Sequence, residues 1–315
     1  MTSDVHYYKQ TRYKLLRTFC SVAQKESITQ AATELYISQP TVSLQIQALE
    51  REMGQTLFER RGPRIRLTPE GHVLYQLVQP LTAGFDSLKE SFAASLGKIE
   101  EGELSIAAGQ STGLYVLPRY LQDFKQRFPK IHLRLHNVTG QGGMKMLHAD
   151  DVDLAIGPLL QVPEGIVYKP FMSFDSFLIT PLDHPLAALE TVSLADISPY
   201  GLILPPRNLS TWRMVDTVFR QHSVPYTVAM EAGGWEIVKK YVELGLGISL
   251  VTEVCLNGNE RIHKVPLRHL FPSRHYGVIV RKGKFFTPQA KEFIRMFRED
   301  FFDDTSGETL TGQGN

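Results

Sequence analysis

The sequence predicts an α+β multidomain chain with an N-terminal winged helix-turn-helix, a coiled-coil linker helix and a C-terminal α/β domain. Three observations carry that expectation. Three short helical segments are followed by a basic hairpin before residue 68, apolar residues from Leu74 to Phe92 step by 4, 3, 4, 3 and 4, and strands alternate with helices from Glu103 onward. Such alternation belongs to α/β layers, and a 4-3 stripe belongs to the seam of paired helices.

Residues 9–25 repeat Tyr13, Leu16, Phe19, Cys20 and Ala23 at helical spacing. Ser27 with Gln30 forms a capping-box start for a second helix through Ala31, Ala32 and Leu35. The connection "YIS" is short enough only for a helix-turn-helix corner. Ser38 then caps a third helix, with Pro40 in the first turn, where its missing N–H costs little. Val42, Ile46, Leu49 and Met53 make the core face of that helix, which points Thr41, Leu44 and Gln45 outward and leaves Gln39 at the exposed N-terminal end. Between Gln39 and Gln47 there is no Lys, Arg, Asp or Glu. A merely solvated face is usually charged, whereas a face docking on base edges is short, polar and hydrogen-bonding. "LFERRGPRIRLT" next turns at Gly62-Pro63 between two basic arms, the form of a wing. Residues 1–68 hold 10 Lys+Arg against 6 Asp+Glu, a basic head on a mildly acidic body, as suits a polyanion partner.

Thr68 caps the linker helix, with Pro69 at its first position and Glu70 complementing the dipole. Leu74, Val78, Leu81, Phe85, Leu88 and Phe92 form the stripe, and a helix from a second copy is the simplest cover for it. Pro80 lies inside and should kink the helix or interrupt its hydrogen bonds. Beyond it, "LSIAAG", "KIHLRLH", "DDVDLAIG", "SFLITP", "YGLILPP", "YTVAMEAGG", "GISLVTE" and "RHYGVIVRKG" read as strands or strand ends, with helices over Tyr115–Phe128, Trp235–Leu244 and Thr287–Phe301. Strand–helix alternation of this kind points to parallel, doubly wound units.

"ITQAATELYISQPTVSLQIQALEREMGQTLFERRGPRIRLTPEG" resembles the DNA-binding head of LysR-type transcriptional regulators, in Ala31-Ala32, "SQPTVS", Ile46, Leu49 and Glu50, "LFER" and "LTPEG". "LPRYLQDFKQRFP", "DVDLAIG", "DHPLA" and "VELGLGISLVTE" resemble the effector-binding half of the same family, a two-lobed fold like a type 2 periplasmic binding protein. "LPRYLQDFKQRFP" and "LHNVTGQ" lean toward its sulfur-assimilation branch. The resemblance implies that Gln39, Pro40, Thr41, Ser43, Leu44 and Gln45 face the major groove and that Arg60, Arg61, Arg64 and Arg66 contact phosphates or the minor groove. Many relatives carry Arg where Leu44 stands, and Leu offers only an apolar contact, for instance to a thymine methyl. The implied partners are double-stranded promoter DNA, a small anionic effector, further copies of the chain as a homodimer or homotetramer, and RNA polymerase.

The resemblance sets the expected division of residues 1–67 as DNA-binding domain, 68–98 as dimerisation linker and 99–302 as effector-binding domain, while the polar, Gly-containing composition of 303–315, without aromatics, reads as a disordered tail. Lobe I is expected over 102–169 and 272–302 and lobe II over 170–271, with crossovers near Lys169–Phe171 and Leu267–Phe271. In such folds a ligand sits at the C-terminal ends of strands, where helix N-termini offer free N–H groups to an anion. The corners so placed are Ser111 and Thr112, then Thr139, Gly140 and Gln141, and from the second lobe Asn208, Ser210, Gly233 and Gly234.

Rival functions have less support. His136, His148, His184, Asp150, Asp151 and Asp153 lack the spacing of a hydrolytic metal site, and no nucleophile-elbow, phosphate-loop or dinucleotide fingerprint is present. No catalytic residue, metal or cofactor is therefore expected, although an α/β enzyme is one alternative. A non-specific architectural DNA binder is another, and it leaves a two-lobed pocket without a purpose. Cys20 and Cys255 read as two buried thiols. No apolar run reaches membrane-span length and no secretory leader is evident, so a cytoplasmic bacterial protein without a membrane partner is expected.

Overall fold

The computed structural model describes residues 2–61, 64–96 and 101–303, without the side chains of 2–11, 60, 61, 64, 90, 94 and 95. The Gly62-Pro63 turn and the tail from residue 304 lie outside the described residues. The chain divides into two compact units, Met1–Ile99 with Lys282–Pro288, and Glu100–Arg281 with Gln289–Asn315.

In the first unit α1 (Thr2–Lys25), α2 (Ile28–Leu35) and α3 (Gln39–Met53) precede a hairpin of β1 (Phe58–Arg61) and β2 (Arg64–Leu67). Ser27 Oγ accepts from Gln30 N–H at 3.3 Å and Ser38 Oγ from Thr41 N–H at 3.2 Å, so both serines cap their helices, Ser27 as a simple cap and not as the expected reciprocal box. Between them Tyr36 adopts a left-handed conformation (φ 55°), and its N–H returns to the carbonyls of Ala32 and Thr33. This residue makes the corner. Phe19, Ala31, Val42, Leu49 and Leu57 close the core, with Phe19 and Phe58 rings 5.4 Å apart. Thr68 Oγ1 accepts from Gly71 N–H and donates to the Thr56 carbonyl, which fixes the exit of the wing against α4 (Pro69–Asp86). Gly71 is required there, because a Cβ would stand 2.2 Å from the Leu57 carbonyl oxygen.

The linker departs from expectation in two ways. It is not one helix: α4 ends at Asp86 and α5 (Leu88–Ser95) begins after Ser87. The helix continues through Pro80; the break comes at Ser87, whose N–H and hydroxyl both turn back to the Ala83 carbonyl. The apolar stripe also changes membership. Val78 is buried and Leu74 packs beside it, both in the core beneath α1, whereas Leu81, Phe85, Leu88 and Phe92 are exposed together with Val73, Leu77 and Leu96. The open face therefore runs through Val73 and Leu77, because α1 already occupies the face of Leu74 and Val78.

The second unit has two lobes. In the first, β3 (Gly102–Ala108), β4 (Ile131–Asn137), β5 (Leu154–Pro158), β6 (Ile166–Phe174) and β12 (Arg274–Arg281) form a sheet in the order β4-β3-β5-β12-β6. Helices α6 (Leu117–Arg127), α7 (Gly140–Ala149) and α11 (Pro288–Arg295) accompany it. In the second, β8 (Gly201–Leu204) pairs in parallel with β9 (Thr227–Glu231), and β7 (Ser176–Thr180) lies antiparallel between β10 (Ser249–Thr252) and β11 (His263–Pro266). Helices α8 (Leu194–Ile197), α9 (Ser210–Gln221) and α10 (Trp235–Glu243) belong to this lobe. The sheets are mixed, not wholly parallel. β12 runs antiparallel to both β5 and β6 because the chain re-enters the first sheet from the second lobe. Residues 170–174 stay in the first sheet, paired with β12, so the first crossover falls at Asp175 and not at Lys169–Phe171. The second lies between β11 and β12, and Ser273 Oγ donates to Asp175 Oδ1 to tie the two crossovers together.

If the open face of Val73, Leu77 and Leu81 is covered by a second copy, two substitutions that four-residue logic would equate should differ. Leu77→Asp should lower the sedimenting mass while the melting midpoint of the isolated subunit is kept. Val78→Asp should unfold the first unit by burying an unpaired carboxylate, at a cost of about 3 kcal/mol or more. Equal effects on mass and on circular dichroism would contradict the assignment of faces.

Candidate functional site

On α3 the residues expected to face DNA are not equivalent. Gln39 and Pro40 are exposed at the N-terminal end, and Leu44 stands 61% open on the outer face. Ser43 is half-buried. So is Thr41, whose hydroxyl shares a hydrogen bond with the Ser38 hydroxyl at 2.8 Å and is thereby tied to the cap. Gln45 does not point freely outward: Thr18 Oγ1 of α1 donates to its Oε1. Helical geometry gave its direction, but not the partner across the α1–α3 contact. Arg66 is exposed on β2, with Glu26 at 4.0 Å, while the side chains of Arg60, Arg61 and Arg64 lie outside the described residues. Tyr36 went unnoticed in the sequence. At 95% exposure it projects from the corner directly ahead of α3, and its left-handed backbone is why.

In the second unit a cleft of about 1230 Å³ lies between the two lobes. Ser111, Thr112, Thr139, Gly140, Gln141, Asn208, Ser210, Gly233 and Gly234 all line it. Their tasks differ. Thr139 Oγ1 accepts from Gly142 N–H at 3.3 Å and caps α7. Ser111 and Thr112 cap nothing, because the chain enters one turn of π-helix at Thr112 before α6 begins. Thr112 is fully buried and its hydroxyl has no hydrogen-bond partner. Leu209 and Gly234 precede α9 and α10 as N-cap residues, neither with a side-chain cap, and both helix starts line the cleft with free N–H groups. Gly234 (φ 91°) is needed there for its left-handed backbone, and a Cβ would also come to 3.2 Å from the Gln110 amide of the opposite lobe.

Several lining residues were missed by sequence reasoning, among them Gln110, Trp235, Thr252, Arg274 and Tyr276. Burial pushes the Tyr276 phenol up, against the Arg274 guanidinium and the Ser111 and Thr252 hydroxyls beside it. Among the described residues the lining holds three cations, Lys145, Arg213 and Arg274, and no Asp or Glu. Beside the cleft, Tyr115 of the first lobe donates to Glu236 of the second. The buried Lys239 ammonium reaches both Glu236 and Glu260, at 2.9 and 2.8 Å. Burial alone would raise the Glu260 carboxyl; hydrogen bonds from Lys239 and the Asn257 N–H outweigh it and hold the group at about 2.

The residues weighed as metal ligands have structural tasks. Asp150 pairs with Arg281 at 2.9 Å, Asp153 accepts from Ser105 N–H, His136 bonds Ser105 Oγ, and His184 Nδ1 accepts from Leu186 N–H. Among the described residues no group of three or more His, Cys, Asp or Glu could hold a metal ion. Cys20 and Cys255 are free and buried, and burial pushes the Cys255 thiol up to about 12.

Residues 13–72 match the model of the bacterial regulatory helix-turn-helix protein, lysR family, and residues 98–302 that of the LysR substrate binding domain. The HTH-type transcriptional regulator CysB of Burkholderia cenocepacia is 31% identical over 84% of this chain and 86% of its own. SsuR of the same organism is 32% identical over 88% and 91%. A full-length OxyR variant from Pseudomonas aeruginosa superimposes with a TM-score of 0.68 over 91% of this chain and 95% of its own, at 22% identity, a likeness of fold.

The Glu260 pair gives a pH dependence of known sign. A carboxyl held at about 2 instead of its ordinary value stabilises the folded state fully above about 5, and that contribution is lost as pH falls toward 2. The melting midpoint of wild type should therefore drop more steeply between pH 5 and 3 than that of Glu260→Gln. Parallel curves would show that the pair adds no pH-dependent stability.

Proposed function

The chain belongs to the LysR family of transcriptional regulators, and on that premise we propose that it is switched by a small anionic metabolite held between the lobes of its second unit. The observation that carries the reading is the charge of the cleft: three cations and no carboxylate among the described lining residues, with two uncapped helix starts facing the same space. Helix N-termini and hydroxyl donors favour an anion, and a lining without carboxylates does not repel one. Ser111 and Thr112 are the favoured first contacts, because neither is occupied by capping. CysB and SsuR among the relatives agree with the lean of the sequence toward the sulfur-assimilation branch.

The same proposal gives α3 the reading of bases in promoter half-sites and the wing the holding of phosphates. Gln39, Pro40, Thr41, Ser43 and Leu44 present the groove-facing surface. Gln45 contributes only through the atoms Thr18 leaves available, and Arg60, Arg61, Arg64 and Arg66 serve the backbone or minor groove. The exposed linker stripe joins copies into a homodimer, and further association makes a homotetramer. Ligand binding then alters how the assembled subunits, with RNA polymerase, use the promoter. Such work belongs in the cytoplasm; no helix among the described residues is long and apolar enough to cross a membrane.

Two measurements test these assignments. Gln39→Ala should relax base preference at one position of each half-site, by about 1–3 kcal/mol for a bidentate contact, whereas Arg66→Ala should weaken all sequences alike and reduce the salt slope by about 1. Equal loss of specificity from both would remove that division of labour. For the cleft, a thermal-shift screen of small organic anions on the full-length protein should find one that stabilises by about 2.7 kcal/mol at 100 times its dissociation constant. Ser111→Ala with Thr112→Ala should abolish that shift and leave DNA binding in place; an unchanged shift would put the ligand elsewhere.

A further inference from the structure

We propose that Arg274 is the charge anchor of the effector. It would take the oxyanion headgroup of a singly charged ligand, a carboxylate or a sulfonate, on its Nε edge at the crossover between the lobes. The inference rests on the reading of the cleft as an anion site and adds to it a residue and a headgroup.

Arg274 is only 7% exposed, yet it lines the cleft. Its two terminal nitrogens are spent on neutral acceptors, Ser210 Oγ and Thr211 Oγ1, each at 2.6 Å. Its Nε has no hydrogen-bond partner, and no carboxylate among the described residues lies within ion-pair distance. A buried guanidinium without a counter-charge carries a desolvation cost that two hydrogen bonds to neutral hydroxyls offset only in part. Its surroundings add to the cost. Ser210 and Thr211 are the first residues of α9, a twelve-residue helix whose N-terminus has no side-chain cap, so a cation faces the positive end of a helix dipole. Both defects have one remedy, an anion on the open edge of the guanidinium. Thr112 Oγ1, buried and unpartnered in the same lining, is a second donor of the kind an oxyanion uses.

The place of Arg274 in the chain links this charge to lobe position. It is the first residue of β12, paired with Phe174 at the end of β6, and its neighbour Ser273 bonds Asp175 in the other crossover. The guanidinium then reaches across to α9 of the second lobe. An anion bound there rests on the joint itself. One buried cation also sets the ligand charge, because Lys145 and Arg213 are both exposed at the cleft wall.

The test uses the full-length W212F protein, otherwise wild type, whose remaining tryptophan, Trp235, lines the cleft and reports on it by fluorescence. Methanesulfonate and acetate are titrated beside the neutral dimethyl sulfone and acetamide, at ionic strength matched with chloride. Wild type should respond to the anions and not to the neutral analogues. R274Q should bind them at least about tenfold more weakly, and R274K, which keeps the charge without the Nε–H edge, should lose several-fold. If R274Q binds them like wild type while the Ser111→Ala, Thr112→Ala variant does not, Arg274 is no anchor and the cleft reading survives. Should R274Q fail to fold, unchanged anion affinity in R274K overturns the proposal. An equal response of wild type to neutral and charged probes, or to none of them, overturns this inference and the anion reading together.

Discussion

The pairing of β6 with β12 is the constraint on which the second unit depends. Both strands belong to the first lobe: β6 ends where the chain crosses to the second, at Asp175, and β12 begins where it returns, at Arg274. Their antiparallel register brings the two crossovers side by side, and the Ser273–Asp175 bond closes the join. Everything that faces the cleft is placed from there. The first lobe contributes the ends of β3 and β4, with Ser111, Thr112 and Thr139, and the second contributes the starts of α9 and α10. Two crossovers also mean that the lobes move, if they move, about a short joint and not through a flexible tether.

Polar groups near the cleft fall into two kinds. Some are spent on structure: Thr139 on its helix and Lys239 on two carboxylates. Others stay unsatisfied although buried, namely Thr112 Oγ1 and Arg274 Nε. Buried polar atoms are nearly always hydrogen-bonded, so exceptions that face one cleft are better explained by a binding task than by chance. The first unit shows the same contrast on a smaller scale. Its caps at Ser27, Ser38 and Thr68 are complete, while Tyr36, Leu44 and Gln39 are left facing outward.

Features held by local chemistry were legible in the sequence. Caps at Ser27, Ser38 and Thr68 need only a hydroxyl and a nearby N–H, and the spacing of Val42, Ile46 and Leu49 fixes the buried side of α3. Features set by a distant partner were not. Val73 and Leu77, not Leu74 and Val78, are open because α1 covers the other face, and no pattern within the linker records that competition. Gln45 turns inward because Thr18 lies opposite. The antiparallel course of β12 follows from its return out of the second lobe, so strand–helix alternation alone suggested a parallel sheet. Arg274 opens β12, and only the approach of Ser210 and Thr211, more than sixty residues earlier in the chain, shows why it is buried.

The central claim is that one anion contacts both lobes at their joint. Hydrogen–deuterium exchange of the full-length protein, with and without a saturating anion found by titration, tests it most directly. The account predicts joint protection of residues 110–116 in the first lobe and of the N-terminal turns of α9 and α10 in the second. Protection confined to one lobe, or appearing only outside the cleft, would contradict it.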